Sequence, residues 1–504
     1  MAEPFYITTA ISYPNGKPHI GHAYEAIAAD VIARFQRAQG RDVRLVTGTD
    51  EHGLKMVQTA RGQGVDTRTY ADEMSQYFRK MCDDLDVRYD AFVRTTEPRH
   101  HEASIAIWKA MEAADDLYLD RYEGWYSVRD EAFYDESELV DGEGGERLSP
   151  QGTPVEWTVE ETWFFRLSKY QDRLLQLYRD NPGFIQPDSR RNEVVRFVEG
   201  GLKDLSVSRT SFDWGVPVPG SPGHVMYVWV DALTTYMTGV GYPEREGDYD
   251  RFWPADIHLI GKDIVRFHAV YWPAFLMSAQ LPLPKQVFGH GFLLARGGEK
   301  MSKSAGNVVD PMVLAERFGI DNLRYFLMRE ISFGQDGSYS AEAIVSRCNA
   351  ELANSFGNLA QRTLSMIFKN LEGVIPPSGE EGADRALLEQ VTAACRQLAE
   401  DFSGLAFSQG LDAWMGAVFA CNAYVDEMAP WALKKSNPER MAEVLGTLVV
   451  AIRALAEAVG PVIPSSSARL IELIDSGRDG AAIAQPTPIF PRLELPEGRE
   501  EAAA

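Results

Sequence analysis

The sequence predicts an α/β domain with a mostly parallel sheet, split by a small β-rich insertion and followed by an all-helical bundle. Three observations carry this expectation. Short β-branched and aromatic runs alternate with helical periodicity up to about residue 115 and again from about 226. Closely spaced aromatics and acidic turns interrupt that alternation between about 116 and 225. From about 345 onward long helical patterns remain, with almost no strand signal.

Phe5 to Ile11 reads as a first buried strand, and Tyr13-Pro-Asn-Gly-Lys-Pro18 as a turn, because Pro and Gly break both periodicities. Apolar residues recur at helical spacing from Ile20 to Gln39, and Gly40 is a natural stop. Val43 to Val46 is a second strand, running into Thr47-Gly-Thr-Asp-Glu-His-Gly53. In alternating α/β sheets ligands gather at the carboxyl ends of strands, and both polar clusters fall there. The insertion holds Tyr118, Tyr122, Trp125, Tyr126, Phe133 and Tyr134 and the acidic turn Asp141-Gly-Glu-Gly-Gly-Glu146. Strands are expected to resume at Val225–Val230 and Ile257–Gly261, followed by a loop over Gly297–Gly306. Leu445–Ile463 is interrupted by Arg453 and Glu457, so it reads as an amphipathic helix and not a membrane span. The Pro-, Glu- and Ala-rich tail after Gln485 is expected to be loosely packed.

The 504 residues carry 50 Lys+Arg against 73 Asp+Glu, a net charge of −23. Bulk charge therefore excludes a chain that coats nucleic acid or an anionic membrane, though not a local basic groove. Cys82, Cys348, Cys395 and Cys421 lie far apart, without a C-x-x-C pair for a thiolate zinc site or a dithiol. They read as core thiols of a reducing compartment. The start, MAEPFYIT, has no basic flank leading into an apolar run, so a cytoplasmic protein without a signal peptide is expected.

His19-Ile-Gly-His22 opens a helix after a Pro/Gly turn. Its two imidazoles allow either a metal-ligand pair or an anion site, where helix N–H groups and ring donors meet phosphate oxygens. No third ligand is identifiable nearby, and the G-x-G-x-x-G dinucleotide fingerprint is missing. Lys300-Met-Ser-Lys-Ser304 is either a solvated basic loop or a pair of lysines that swing onto a polyphosphate. Together, across an interrupted α/β domain, the two motifs resemble the HIGH and KMSKS signatures of class I aminoacyl-tRNA synthetases. Other readings of the residues are a class I nucleotidyltransferase or synthetase for another substrate, a catalytically silent tRNA-binding relative, and a dinucleotide-dependent oxidoreductase.

Ala10-Ile-Ser-Tyr-Pro-Asn-Gly16, Thr47–Gly53, Tyr227-Val-Trp-Val-Asp-Ala232 and Gly261-Lys-Asp-Ile-Val-Arg-Phe-His268 resemble the methionyl-tRNA synthetase family in particular, from about Phe5 to Trp431. The resemblance implies a Rossmann-like parallel-sheet catalytic domain, split by a small β-rich insertion and followed by a helical-bundle anticodon-binding domain. The implied segments are 1–115 and 226–297 for the catalytic halves, 116–225 for the insertion, 298–345 for the linking region with the lysine loop, 346–485 for the bundle and 486–504 for the tail. It implies a methionine pocket at Ile11, Tyr13, Asp50, Trp229, Ala232, Tyr236, Ile264 and His268. The chemistry agrees: Asp50 can take an α-ammonium, and the aromatic edges and faces suit a polarizable thioether. A polar handle on Tyr236 or His268 would discriminate better than an aliphatic wall, which yields about 1–3 kcal/mol. Leu233 stands where some family members have Pro.

For ATP, the resemblance places phosphates on His19, Gly21 and His22, and the ribose or adenine near Gly261 and Asp263. Leaving pyrophosphate falls to Lys303, assisted by Lys300, with Mg²⁺ bridging phosphates. Arg209 matches an arginine that pairs with the position of Asp50. Asn354, Asn358 and Arg362 share one helix stripe and match the anticodon-reading helix, with Trp431 stacking on a base. The implied partners are L-methionine, ATP and tRNA(Met), including the initiator, with no membrane and a monomeric state. The insertion is too short for an editing domain and has no Cys for a zinc knuckle, so no structural zinc is expected.

Overall fold

Six parallel strands form the central sheet in the order Ala91–Arg94, Asp42–Thr49, Pro4–Thr9, Ile257–Gly261, Val287–His290 and Ile185–Gln186. The structure is a computed structural model and describes residues 2–129, 132–142, 145–294, 309–380, 382–477 and 480–495. It divides into two units, residues 1–29 with 36–290, and residues 30–35 with 291–504. Phe5 to Thr9 are all buried, as befits a central parallel strand covered on both faces. The strand stops at Thr9, two residues before the expected end, because Ile11 has left the ladder and only Ser12 rejoins it by an isolated bridge to Thr49. The following helix, Ile20–Ala38, and the second strand, Asp42–Thr49, lie where the periodicity places them.

The insertion folds as an antiparallel sheet ordered Leu205–Ser206, Glu156–Phe165, Leu117–Ser127, Ala132–Tyr134. Trp125 sits opposite Trp157 with the rings edge to face at 5.5 Å, and Tyr118 stacks on Phe164 at 5.5 Å. The buried hydroxyls of Ser127 and Ser149 both bond Thr153, at 2.7 and 2.8 Å. The same 116–225 segment also holds the helices Gln171–Asp180 and Asp188–Glu199 and lends Ile185–Gln186 to the edge of the central sheet.

Val225–Val230 corrects the strand expectation. Only Val225–Met226 pairs as a strand, and Val228–Thr238 is a helix buried almost throughout. A short, fully apolar β-branched run carries no periodicity that separates a buried strand from a buried helix. Here Thr234, Thr235 and Thr238 turn their hydroxyls back onto carbonyls of the preceding turn, which satisfies them inside the core.

The second unit is a helical bundle. Ala341–Cys348 runs through a π-helical stretch, Asn349–Gly357, into Asn358–Asn370. Gly382–Ser403, Phe407–Met428, Pro438–Val459 and Pro464–Asp475 complete it. Pro438–Val459 corresponds to the expected late amphipathic helix, and its face from Met441 to Val459 is buried. Trp414 fills the middle, donating its indole N–H to the Leu455 carbonyl at 2.9 Å. The tail corrects the expectation of loose packing as far as residue 495: Phe490 is buried, and Asn349 makes paired 2.8 Å bonds to the Leu493 backbone. Two buried groups tie helices together through charge. Asp384 takes both guanidinium nitrogens of Arg440, at 2.6 and 2.9 Å, and the Tyr424 hydroxyl.

Truncating Asp384 to Ala takes the bidentate partner from Arg440, which keeps only the more exposed Glu443 at 3.1 Å, and removes the carboxylate that the Tyr424 hydroxyl bonds. A loss of about 3–5 kcal/mol is expected for such a break. It is checked by the shift of the urea midpoint relative to the unaltered chain.

Candidate active site

The central sheet reverses its winding direction between Pro4–Thr9 and Ile257–Gly261, which makes their carboxyl ends the topological switch point. The chain leaving the first strand passes through Ala10, whose N–H bonds the Leu259 carbonyl at 3.0 Å, and reaches the His19 turn. His19 and His22 lie ring against ring, 3.9 Å between centroids. His22 Nδ1 accepts the His19 backbone N–H and His19 Nδ1 accepts the Gly21 N–H, both at 3.1 Å. Each neutral ring is thereby held with its proton on Nε2, the donor form suited to an anion. A Cβ at Gly21 would stand 2.9 Å from His19 Cε1, so only glycine admits the ring here. A small recess behind His22 is bounded by Thr9, Ser12, Glu25, Thr47 and Phe78.

The expected pocket residues gather at this switch point from four segments. Ile11 and Tyr13 follow the first strand, and Asp50 follows the second. Trp229, Ala232 and Tyr236 sit on the helix Val228–Thr238. Ile264 and His268 follow Gly261, at the end of the strand Ile257–Gly261. Ala232, Tyr236 and His268 are buried and Asp50 nearly so, whereas Ile11, Tyr13, Trp229 and Ile264 are half-buried. Gly261 is partly exposed and Asp263 exposed, and a Cβ on Gly261 would come within 2.8 Å of the Asp263 carboxylate.

Tyr236 and His268, the two expected polar handles, are hydrogen-bonded to each other. His268 Nδ1 donates to the Ile264 carbonyl at 2.9 Å, which leaves Nε2 as the acceptor of the Tyr236 O–H at 2.6 Å. The hydroxyl proton is committed to the imidazole, so the pair presents ring faces and hydroxyl lone pairs rather than a spare donor. Burial holds the His268 pKa down to about 4 and raises that of Tyr236 far above the usual phenol value. Beneath them His258 accepts from the Trp272 indole at 3.2 Å and bonds Thr8 at 2.7 Å, with its ring 4.4 Å from that of Tyr236. A neutral, hydrogen-bonded aromatic layer thus lies beneath the Tyr236–His268 pair.

The loop carrying Asp50 is clamped on either side of that residue. Glu51, fully buried, receives Arg94 at 2.7 and 2.9 Å and the hydroxyls of Thr49 and Thr96 at 2.6 Å each. His52 Nδ1 lies 2.6 Å from one oxygen of buried Asp231, and His100 Nε2 lies 2.6 Å from the other. Burial alone would raise the Asp231 pKa, but His52 and His100 outweigh it and hold the carboxyl well below its ordinary range. A Cβ at Gly48 would fall 1.9 Å from the Val93 carbonyl oxygen, so the loop can begin only at a glycine. Arg209 is buried, bonds Ser206 and the Ser208 carbonyl at 2.9 and 2.7 Å, and lies 4.6 Å over the Tyr227 ring.

In the second unit Asn354, Asn358 and Arg362 are all exposed. The stripe crosses the change from π-helix to α-helix at Asn358, so it is less regular than an α-helical spacing implies. The Arg362 guanidinium stacks 5.6 Å over the ring of Trp431, which is 49% exposed. Lys300 and Lys303 lie outside the described residues.

Sequence reasoning missed several neighbours. Glu25 stands one turn beyond His22 and bonds His290 at 2.8 Å, a carboxylate three residues along the same helix face that could have been noticed. Phe267 stacks on Trp229 at 3.9 Å, nearly parallel, and was signalled only by adjacency to His268. His100 and Asp231 had no local signal, since only the tertiary fold joins them to His52.

A parallel sheet with a histidine-bearing helix start at its switch point and an aromatic pocket beside it defines a class I nucleotide-activating α/β fold. A family model described as tRNA synthetases class I (M) matches residues 5–364, and one for the anticodon binding domain of methionyl tRNA ligase matches residues 375–489. The methionine–tRNA ligase of Brucella suis is 56% identical, over 97% of this chain and 98% of that protein. That of Mycobacterium bovis is 52% identical, over 99% of each. A crystal structure of Mycobacterium tuberculosis methionyl-tRNA synthetase bound by methionyl-adenylate superposes with a TM-score of 0.93 at 52% identity, covering 97% of this chain and 100% of that one. The chain belongs to the methionyl-tRNA synthetase family of class I synthetases.

Because folded His268 is protonated only near pH 4 and an unfolded histidine near 6.5, the unfolded chain binds the extra proton between those values. Stability therefore falls as pH drops from about 6.5 to 4, by up to ~3 kcal/mol from this group. His268→Gln is expected to make that limb shallower in urea titrations at a series of pH values, with buried His258 still contributing to it.

Proposed function

We infer that the chain activates L-methionine with ATP and ligates it to tRNA(Met), initiator tRNA included. The observation that carries this reading is the aromatic pocket beside Asp50 at the switch point, in a chain alike over nearly its whole length to methionine–tRNA ligases. A methionine carboxylate oxygen attacks the α-phosphorus of ATP, the bond to the β,γ-phosphates breaks, and methionyl-adenylate and pyrophosphate form. A tRNA 3′-terminal hydroxyl then attacks the methionyl carbonyl and releases AMP. Such phosphoryl chemistry depends on positioning and charge stabilisation more than on covalent work by the protein.

In this reading Asp50 takes the α-ammonium, and Ile11, Tyr13, Trp229, Ala232, Tyr236, Ile264 and His268 enclose the thioether chain. Arg209 supports the Asp50 side of the site. His19 and His22 donate Nε2–H to the phosphates as negative charge moves outward, with Gly21 allowing their approach. Gly261 and Asp263 lie at the ribose or adenine, and Lys300 and Lys303 neutralise the departing pyrophosphate. Mg²⁺ enters bound to the ATP phosphates, as part of the substrate. The insertion is held by its Trp125–Trp157 contact and its buried hydroxyls, which supports a module without structural zinc. Asn354, Asn358 and Arg362 read anticodon base edges while Trp431 offers a stacking face, supported by the exposure of that indole and the adjacent guanidinium. The reading carries a cytoplasmic monomer.

Methionine-dependent ATP–pyrophosphate exchange is the deciding measurement, and its absence across a panel that includes methionine would sink the reading. Lys303→Ala should slow exchange by about 10²–10³-fold, the scale of losing one donor to developing negative charge. Trp431→Ala should leave exchange intact and lower kcat/KM for tRNA charging by ~5- to 100-fold, the worth of one stacked base. Equal loss of both activities would remove the anticodon role.

A further inference from the structure

Asp231 belongs to none of the groups that touch substrate in the reading above, yet its carboxylate joins the two halves of the pocket. It lies on the helix Val228–Thr238 between Trp229 and Ala232 and is 1% exposed. One oxygen holds His52, two residues beyond Asp50, and the other holds His100 on the helix Pro98–Ala113, each at 2.6 Å. His100 reaches back to the pocket helix with its other nitrogen, 2.9 Å from the Thr238 hydroxyl. His52 is held by its neighbours as well. Its ring meets those of Trp214 and His101 edge to face at 5.7 and 5.5 Å, and Trp214 donates to the Glu51 carbonyl at 2.6 Å. Glu51 is locked to Arg94 and Thr96, and the Asp50 and Glu51 N–H groups bond the Ser12 carbonyl and the Thr95 hydroxyl at 2.9 Å each, so the His52–Asp231 contact is the link that runs from this loop to the pocket helix.

The Asp50 loop and the helix that carries Trp229, Ala232 and Tyr236 are different elements, and one buried carboxylate bridges them directly. A charged carboxylate taking an imidazole donor on each oxygen is a stiff, short link, stronger than neutral hydrogen bonds. Removing one partner would leave a buried charge or a buried ring nitrogen unsatisfied, and the elements would shift to relieve it. A pocket that selects by the reach from ammonium to side-chain end is sensitive to such a shift at the ångström scale.

We propose that Asp231, through His52 and His100, is a positioning residue that sets the distance between Asp50 and the Trp229–Ala232–Tyr236 wall, and so selects amino acids by side-chain reach. This rests on the methionine-activating reading. The test is pyrophosphate exchange with methionine, with norleucine, which has the same reach without sulfur, and with ethionine, which is one methylene longer. For Asp231→Asn the KM for methionine is expected to rise ~10-fold while the KM for ATP stays within about twofold, the signature of a lost ground-state fit at one substrate. The kcat/KM ratio of ethionine to methionine should move toward unity, while that of norleucine to methionine stays put.

His52→Asn keeps an N–H where Nδ1 stood and should recover most of the loss seen in His52→Ala. This pair decides the matter even where Asp231→Asn does not fold. A proportional loss for all three amino acids, or His52→Asn no better than His52→Ala, would overturn the proposal. If the unaltered chain shows no methionine-dependent exchange, the functional reading fails and takes the proposal with it. An active Asp231→Asn with an unchanged ethionine ratio removes the proposal alone.

Discussion

The side-by-side pairing of Pro4–Thr9 with Ile257–Gly261 is the constraint on which the rest of the first unit depends. Ile7 sits against Ile257 and Thr8 against His258, so segments from opposite ends of that unit's sequence end at the same level. The sheet's winding turns outward from this pair in both directions, which opens a crevice at its carboxyl end. The His19 turn, the Asp50 loop and the Gly261 bend all leave from that level. Had the register slipped by one residue, Thr8 and His258 would lie on opposite faces of the sheet and their 2.7 Å hydrogen bond would be lost.

The interior beside this pair shows two ways of burying polar groups. Tyr236 and His268 are linked to each other, and His258 links Trp272 to Thr8, without a formal charge on any ring. Burial itself enforces this, since a charged imidazole in that layer would lack the hydration that stabilises it. A few residues away Asp231 is kept charged by imidazole partners on both of its oxygens. The first arrangement provides polarizable ring surface, which on the proposed reading suits a thioether. The second provides rigidity between elements that the chain itself does not join.

The acidic balance of the chain fits a nucleic-acid partner only if contact is confined to a few places. In the bundle, Arg362 and Trp431 offer such a place, a guanidinium lying on a half-exposed indole. An acidic remainder suppresses indiscriminate attraction to phosphate, which is consistent with the proposed reading of bases by Arg362 and Trp431. The net charge of −23 is thus a statement about selectivity and not about whether RNA binds at all.

The sequence by itself determined the elements whose signals are local: the first helix with its Gly40 stop, the second strand, the helical periodicity of the bundle and the two polar clusters at strand ends. It also carried the motif stretches whose resemblance to a family the comparisons bear out. It misread Val225–Val230, because a buried helix and a buried strand look alike when every position is apolar, and it took the tail after Gln485 for loose chain because the docking of Phe490 and Leu493 leaves no pattern. Only the tertiary structure decided that the Tyr236 proton belongs to His268, that Glu25 faces His290, and that His52, Asp231 and His100 form one cluster. Those facts are set by distances between residues remote in the chain, and composition and period carry no information about such distances until the strands have paired.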